Sequence, residues 1–356
     1  MNKPSKRLPG SAVVLMTAFA LAIALPAARM SAASPKACKV RNVSRGTSHG
    51  SLAAAVKKAR QHNKLTVRGK CTGKTKIQNK KLKIVGVRTS RSGPPTLRGN
   101  GRAPVLKISG DGVNVTLKRL TIEGKPGQVV DHPGGGVFLF GKLTLENVKI
   151  RDFETTRDGG GIYIEDGTVR LLGTTVIRGN HANAGGGIYN RGARVIMEDK
   201  SLVERNSAAW GGGIHTAGLF SLLKMTGHSS VHDNMTEFDG GGVNAGTGET
   251  ILKSSASVSG NKSGRDGGGL IVTGGGKLTL EGSSRVADNT SVRYGGGVFM
   301  GADTLTMRDS ATVTGNTALV GGGINSQSWA TLVGVVCPPD GGANVTGNSP
   351  TDCVHG

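Results

Sequence analysis

Eight times between residues 134 and 323 the chain places three consecutive glycines directly before an aliphatic residue. The triplets begin at Gly134, Gly159, Gly185, Gly211, Gly240, Gly267, Gly295 and Gly321, at intervals of 25 to 29 residues. A fixed period in that range marks a repeat architecture and overrides any reading of the segments one at a time. Glycine loses more conformational freedom on folding than any other residue. A recurring triplet therefore points to backbone geometry that other residues cannot adopt.

A second signature travels with the first. An aliphatic residue, two variable ones and then Asn recur as Ile177-x-x-Asn180, Val203-x-x-Asn206, Val231-x-x-Asn234, Val258-x-x-Asn261, Val286-x-x-Asn289, Val313-x-x-Asn316 and Val345-x-x-Asn348. The earliest repeat departs, ending at Phe153 in place of Asn. Between the signatures lie three short apolar or β-branched runs, such as IYI, TVRLL and TVI, each too short for an ordinary helix. Three strands per unit of about 26 residues suit one coil of a parallel β-helix, whereas a propeller blade needs about 40 or more.

Stacked coils place equivalent residues in ladders about 4.8 Å apart. The residue after each triplet is Val137, Ile162, Ile188, Ile214, Val243, Leu270, Val298 or Ile324, so that ladder faces the core. The triplets are expected at the corner leading into this strand, as architecture and not as a phosphate cradle, since no helix follows them. The asparagines are expected at another corner, tolerating left-handed geometry and bonding to the Asn of the next coil.

The two ends differ from the middle. Residues 1–33 read as an export signal, with Lys3, Lys6 and Arg7 before an apolar run and small residues before Ser34. No later segment is long and apolar enough to span a bilayer. Residues 34–64 form an N-terminal cap, in which 51–60 suit an amphipathic helix N-capped by Ser51. The coils occupy 65–336, and 337–356 close the C-terminal end. Four cysteines sit at the extremes, and in an exported chain Cys38 with Cys71 and Cys337 with Cys353 read as one disulfide per end. With no CxxC pair, no metal site is expected. Pro338, Pro339 and Pro350 suit a closing segment that does not extend the ladder.

Charge is concentrated. Net charge is +22, and residues 34–125 hold 23 Lys and Arg against only Asp111 and Glu123. Alternation along a strand makes Lys74, Lys76, Lys81 and Lys83 project outward, with Arg88 close behind them. A basic block is often only a solvated face. One this one-sided repels itself unless an anionic partner benefits, and its scarcity of aromatics argues against base-stacking recognition of single-stranded nucleic acid.

The apolar-x-x-Asn and GGG-[Ile/Val] repeats resemble those of the polymorphic membrane protein repeat group. The opening from Ser51 to Ile77, the stretches KLKIVGV and PTLRGNG, and the closing NVTGNSPTDC are similar to exported right-handed parallel β-helix proteins of high-GC Gram-positive bacteria. The resemblance spans most of 38–353. It implies a single-stranded right-handed helix of pectate-lyase type and an extracellular or cell-surface location. Val or Ile replaces the group's Phe, and a Cys-closed end replaces a translocator barrel, which favours plain secretion.

No polygalacturonase-type motif is present, and the isolated GHS at 227–229 and the pair Asp131–His132 do not make one. The candidate acid pair is Asp239 and Asp266, which precede successive triplets and so share a column. At one coil apart they suit a glycosidase pair or half a calcium site, although Asp before Gly is also ordinary turn chemistry that Arg265 could neutralise. A second column, one residue past the core-facing anchor, begins Phe138, Tyr163, Tyr189. Beside Glu165 and Arg191 these rings could carry sugars, or simply stack across strands. The expectation is a secreted monomer that binds an acidic polysaccharide or cell-wall polyanion without catalysis and without a cofactor. The alternative is a lyase or glycoside hydrolase acting on an acidic glycan, with calcium in the lyase case.

Overall fold

Every core-facing anchor after a glycine triplet, from Val137 to Ile324, is fully buried, and the reason is a β-solenoid of about ten turns. The computed structural model describes residues 37–89, 93–337 and 344–355. The expected export signal and Pro338 and Pro339 lie outside them. Half of the chain is strand and 2% is helix.

Each turn contributes to three faces. Face I begins with Thr75–Gln78 and Leu106–Ser109 and continues through strands such as Ile188–Arg191, Ile214–Ala217 and Val243–Ala245. Face II begins with Lys64–Arg68 and Lys81–Gly86 and continues through Arg194–Met197, Leu222–Met225 and Glu249–Leu252. Val137–Glu146 and Ile162–Leu172 run unbroken around the corner between them, merging faces I and II into one 22-stranded sheet. Face III is an 11-stranded sheet from Lys70–Thr72 to Val345–Thr346, and a 7-stranded sheet of two- to four-residue strands lines the way back to face I. Pairing from coil to coil is parallel and in register, as in Ile162↔Ile188↔Ile214↔Val243.

The corners explain the two signatures. The first glycine of each triplet is left-handed, as at Gly159 (φ 73). The second and third admit no side chain for a different reason: a Cβ on Gly160 would run into the carbonyl oxygen of Gly186, and one on Gly161 would lie 2.6 Å from that of Gly187. The triplet is thus one left-handed residue followed by two more, and none of the three has room for a Cβ, since one on Gly159 would also meet the carbonyl oxygen of Ile162. The asparagine corner corrects the expectation in one respect. The left-handed residue is the one before each Asn, for example Arg205 (φ 52), Asp233 (φ 54) and Asp288 (φ 56). Asn itself supplies the amide ladder, with Asn180, Asn206, Asn234, Asn261, Asn289 and Asn316 each donating to the next at 2.9 or 3.0 Å.

At the N-terminal end the parallel pattern stops. Lys39–Asn42 pairs antiparallel with both Thr47–His49 and Lys64–Arg68, so a hairpin covers the first edge of face II. A helix, Leu52–Lys58, follows, with Ser51 Oγ accepting from Ala54 N at 3.1 Å. It buries Leu52, Ala55 and Val56, and Lys80 Nζ donates to the carbonyls of Val56 and Ala59 at its far end. Cys38 is bonded to Cys71, and Cys337 to Cys353. The C-terminal segment departs from the expectation: Val345–Thr346 and Cys353–His355 add rungs to faces III and I. The last Val-x-x-Asn signature carries that segment into the ladder, and its asparagine, Asn348, ends the chain of amides on Asp352.

Candidate anion-binding site

Face I carries one outward column along its whole length, beginning Lys76, Lys107, Phe138, Tyr163, Tyr189 and His215. At the head of this column lies a hollow of about 690 Å³ between the helix and the first two turns. Lys57, Lys74, Lys76, Lys80 and Lys107 line it together with His132, and no carboxylate does. Lys57 comes from the last turn of the helix, Lys76 from the first strand of face I, and Lys74 immediately precedes that strand. Lys80 is fixed on the helix carbonyls, whereas Lys57, Lys74, Lys76 and Lys107 make no ion pair among the described residues. Four ammonium groups without a counter-charge in one recess focus a positive potential on whatever enters it.

The column then changes character. Lys107 Nζ sits 4.9 Å from the centre of the Phe138 ring. Phe138, Tyr163, Tyr189 and His215 stack at centroid distances of 5.4, 5.2 and 5.1 Å, the last two pairs within 3° of parallel. Each interior ring is therefore covered on both faces by its neighbours. Sugars cannot stack on Tyr163 or Tyr189; only ring edges and hydroxyls face outward. Tyr163 is just 7% exposed, and Asn244, Ile271, Phe299 and Asn325 further along are no more than 9% exposed. Lys76 stays exposed and Lys107, Phe138, Tyr189 and His215 are half-buried, while the other members named are covered. Tyr163 Oη donates to Glu165 at 2.9 Å, and Arg191 holds the other oxygen of that carboxylate at 2.8 Å. Burial and that carboxylate push the Tyr163 hydroxyl up to about 12, so it stays a donor at any physiological pH.

The other sequence-derived residues fall elsewhere. Lys81 and Lys83 are exposed as expected, and so is Arg88. The left-handed corner at Asn79 (φ 49) turns the chain, however, so Lys81 and Lys83 stand on face II, where Lys83 pairs with Lys64 and Thr116. They extend the basic surface but do not enter the hollow. Lys57, Lys80 and Lys107 were not singled out by sequence. The register of Lys76, Lys107 and Phe138 is the signal that could have found Lys107.

Asp239 and Asp266 do occupy one column, and both are buried. Each is held by an arginine from the following coil. Arg265 grips both oxygens of Asp239, and Arg293 grips those of Asp266 at 3.2 and 2.7 Å. Both carboxylates are occupied as bidentate partners, which removes them as a free acid pair. Asp131 is likewise tied to Arg157 at 2.8 Å and Thr156 at 2.9 Å. Among the described residues, no three His, Cys, Asp or Glu side chains gather as a metal site would need. No family model, curated protein or solved structure matches the chain.

Proposed function

We propose that this protein is exported and binds an acidic polymer, a polysaccharide or cell-wall polyanion, without cleaving it. The observation that carries the reading is the convergence of Lys57, Lys74, Lys76, Lys80 and Lys107 on one hollow with no carboxylate in its lining. A region of 23 cations and two acids repels itself in isolation, and an anionic chain lying from the hollow onto Lys81 and Lys83 relieves that repulsion. Export is supported by the pattern of residues 1–33 and by the two disulfides. The repeat signatures and the solenoid support kinship with right-handed pectate-lyase-like helices and polymorphic membrane protein repeats. Occupation of Asp239 and Asp266 by arginines weighs against the lyase or hydrolase alternative.

The test is retention on a polyanion resin and on isolated cell-wall polymer across a salt series. Binding at low salt that fades as the Debye length shrinks to about 3 Å near 1 M is the expected result. A K74Q/K76Q/K107Q variant should elute at distinctly lower salt. Retention unchanged by salt, or by the triple substitution, contradicts the reading. New reducing or unsaturated ends on pectin, alginate or hyaluronan would replace it with the enzymatic alternative.

A further inference from the structure

The most exposed large apolar side chains of the described residues are Phe220 (86%), Trp329 (81%) and Leu219 (73%). All three lie in loops that turn the chain from face I to face II. Leu219 and Phe220 fall between Ile214–Ala217 and Leu222–Met225, and Trp329 falls between Ile324–Ser326 and Thr331–Val333. Their loops are four coils apart on the same corner, about 19 Å at the rung spacing of ~4.8 Å. The three intervening loops are glycine-rich, with Gly246 and Gly248, then Gly274 to Gly276, then Gly301. Missing side chains leave a low floor between two raised aromatic ends.

Beside Phe220 that floor deepens into a hollow of about 520 Å³ over Gly248 and Gly275. Arg194, Glu249 and Lys277 reach it from one ladder of face II, in which Leu222 stands between Arg194 and Glu249. Among the described residues none of the three makes an ion pair or a side-chain hydrogen bond, whereas Arg170–Glu198, Arg191–Glu165 and Lys253–Glu281 on neighbouring coils do. Three unsatisfied charged groups around a concavity beside an uncovered ring face form a composite of apolar platform and polar fingers.

We infer that this corner is a second binding site, for a neutral glycan chain. A pyranose has an apolar face of C–H groups to lay on Phe220 and equatorial hydroxyls that can accept from Arg194 and Lys277 while donating to Glu249. The floor is long enough for a short oligosaccharide whose far end meets Trp329. A membrane surface fits less well, because the site is concave and holds a carboxylate that anionic headgroups repel. The site is independent of the lysine hollow, which lies several coils nearer the N-terminus on face I.

The experiment uses the full mature chain and a panel of neutral polymers: cellulose, chitin, mannan, xylan and arabinogalactan. It is run in 0.5 M NaCl, where exposed charge contacts are largely screened. Retention on at least one polymer is expected, falling about ten-fold or more in Phe220→Ala and in Glu249→Gln, and unchanged in K74Q/K76Q/K107Q. Both single substitutions are at exposed positions, and matching circular dichroism and melting confirm that the fold survives. Failure of every polymer to retain the protein overturns the inference, as does retention indifferent to Phe220→Ala. Phe220-dependent sedimentation with phosphatidylglycerol vesicles, without glycan retention, replaces it with a membrane anchor.

Discussion

Asn234→Ala measures what the amide ladder contributes. Asn234 Oδ1 accepts from the backbone N–H and the side-chain amide of Asn206, both at 3.0 Å. Its Nδ2 donates to Val203 O, His232 O and Asn261 Oδ1, each at 3.0 Å. The substitution leaves two donors of Asn206 with no acceptor in a site that is 1% exposed. Orphaned buried donors cost about 1–3 kcal/mol each, so the expected loss is about 2–6 kcal/mol. Asn348→Ala is the matched control. Asn348 Oδ1 also accepts from a backbone N–H and a side-chain amide, those of Asn316 at 2.9 Å. Asn348 is only half-buried, so water can replace it and the loss should be about 1 kcal/mol. Long repeat arrays do not unfold in one step, so the reading should be local. Hydrogen exchange in the peptides around 203–213 and 231–242 should accelerate strongly in the first variant and little in the second. Equal effects, or a loss under about 1 kcal/mol at Asn234, would refute the idea that burial sets the value of these amides.

Two further perturbations follow from the same geometry. His215 ends the ring stack with Nδ1 buried and unpartnered, and burial pushes its pKa down to about 4 from 6.5, against a smaller opposing pull from Asp158. Its folded pKa lies below the unfolded one, so its contribution is complete above about 6.5 and is lost as pH falls towards about 4, a span worth up to about 3 kcal/mol. Melting from pH 7 to 4 should show this slope in the parent and a flatter one in His215→Tyr, which keeps the stack without the titration; parallel slopes would contradict it. Replacing Cys337 and Cys353 with Ser opens a loop of sequence separation 16, removing about 3 kcal/mol by the loop-entropy relation. Amides of 324–337 and 344–355 should lose protection, and light scattering should show self-association, before polyanion binding declines. Loss of polyanion binding first would contradict that order.

The middle of the solenoid was legible because each coil repeats the same local conflicts and solves them identically. A corner whose left-handed first residue and two followers all lack room for a Cβ is written as GGG, and a buried amide ladder as Asn at a fixed offset. The ends were less legible. Thr47–His49 is three residues long with an unremarkable composition, and its antiparallel pairing is set by contacts with Lys39–Asn42. The lysine hollow was only half visible. Alternation identifies which lysines point outward, but not that the corner at Asn79 sends Lys81 and Lys83 to another face while the helix returns Lys57 to Lys74 and Lys76. The aromatic column was visible as a column. That its rings consume one another's faces depends on the regular coil-to-coil register, and the loops between faces I and II carry no periodic signal. Phe220 and Trp329 escaped notice because they stand in those loops, outside every ladder.

Uniform parallel register has a consequence for how such a chain can change over time. The lysine hollow belongs to the first turns and the Phe220 corner to the middle ones, and between them the strands from Ile162 to Ala217 pair in register from coil to coil. Duplicating or deleting one whole GGG unit in that interval would leave each site's own residues and partners intact. It would move the two sites apart or together by one step of ~4.8 Å. The distance between them is therefore quantised, and a lineage could retune it in whole coils, as a ruler is lengthened by adding divisions, without redesigning either end.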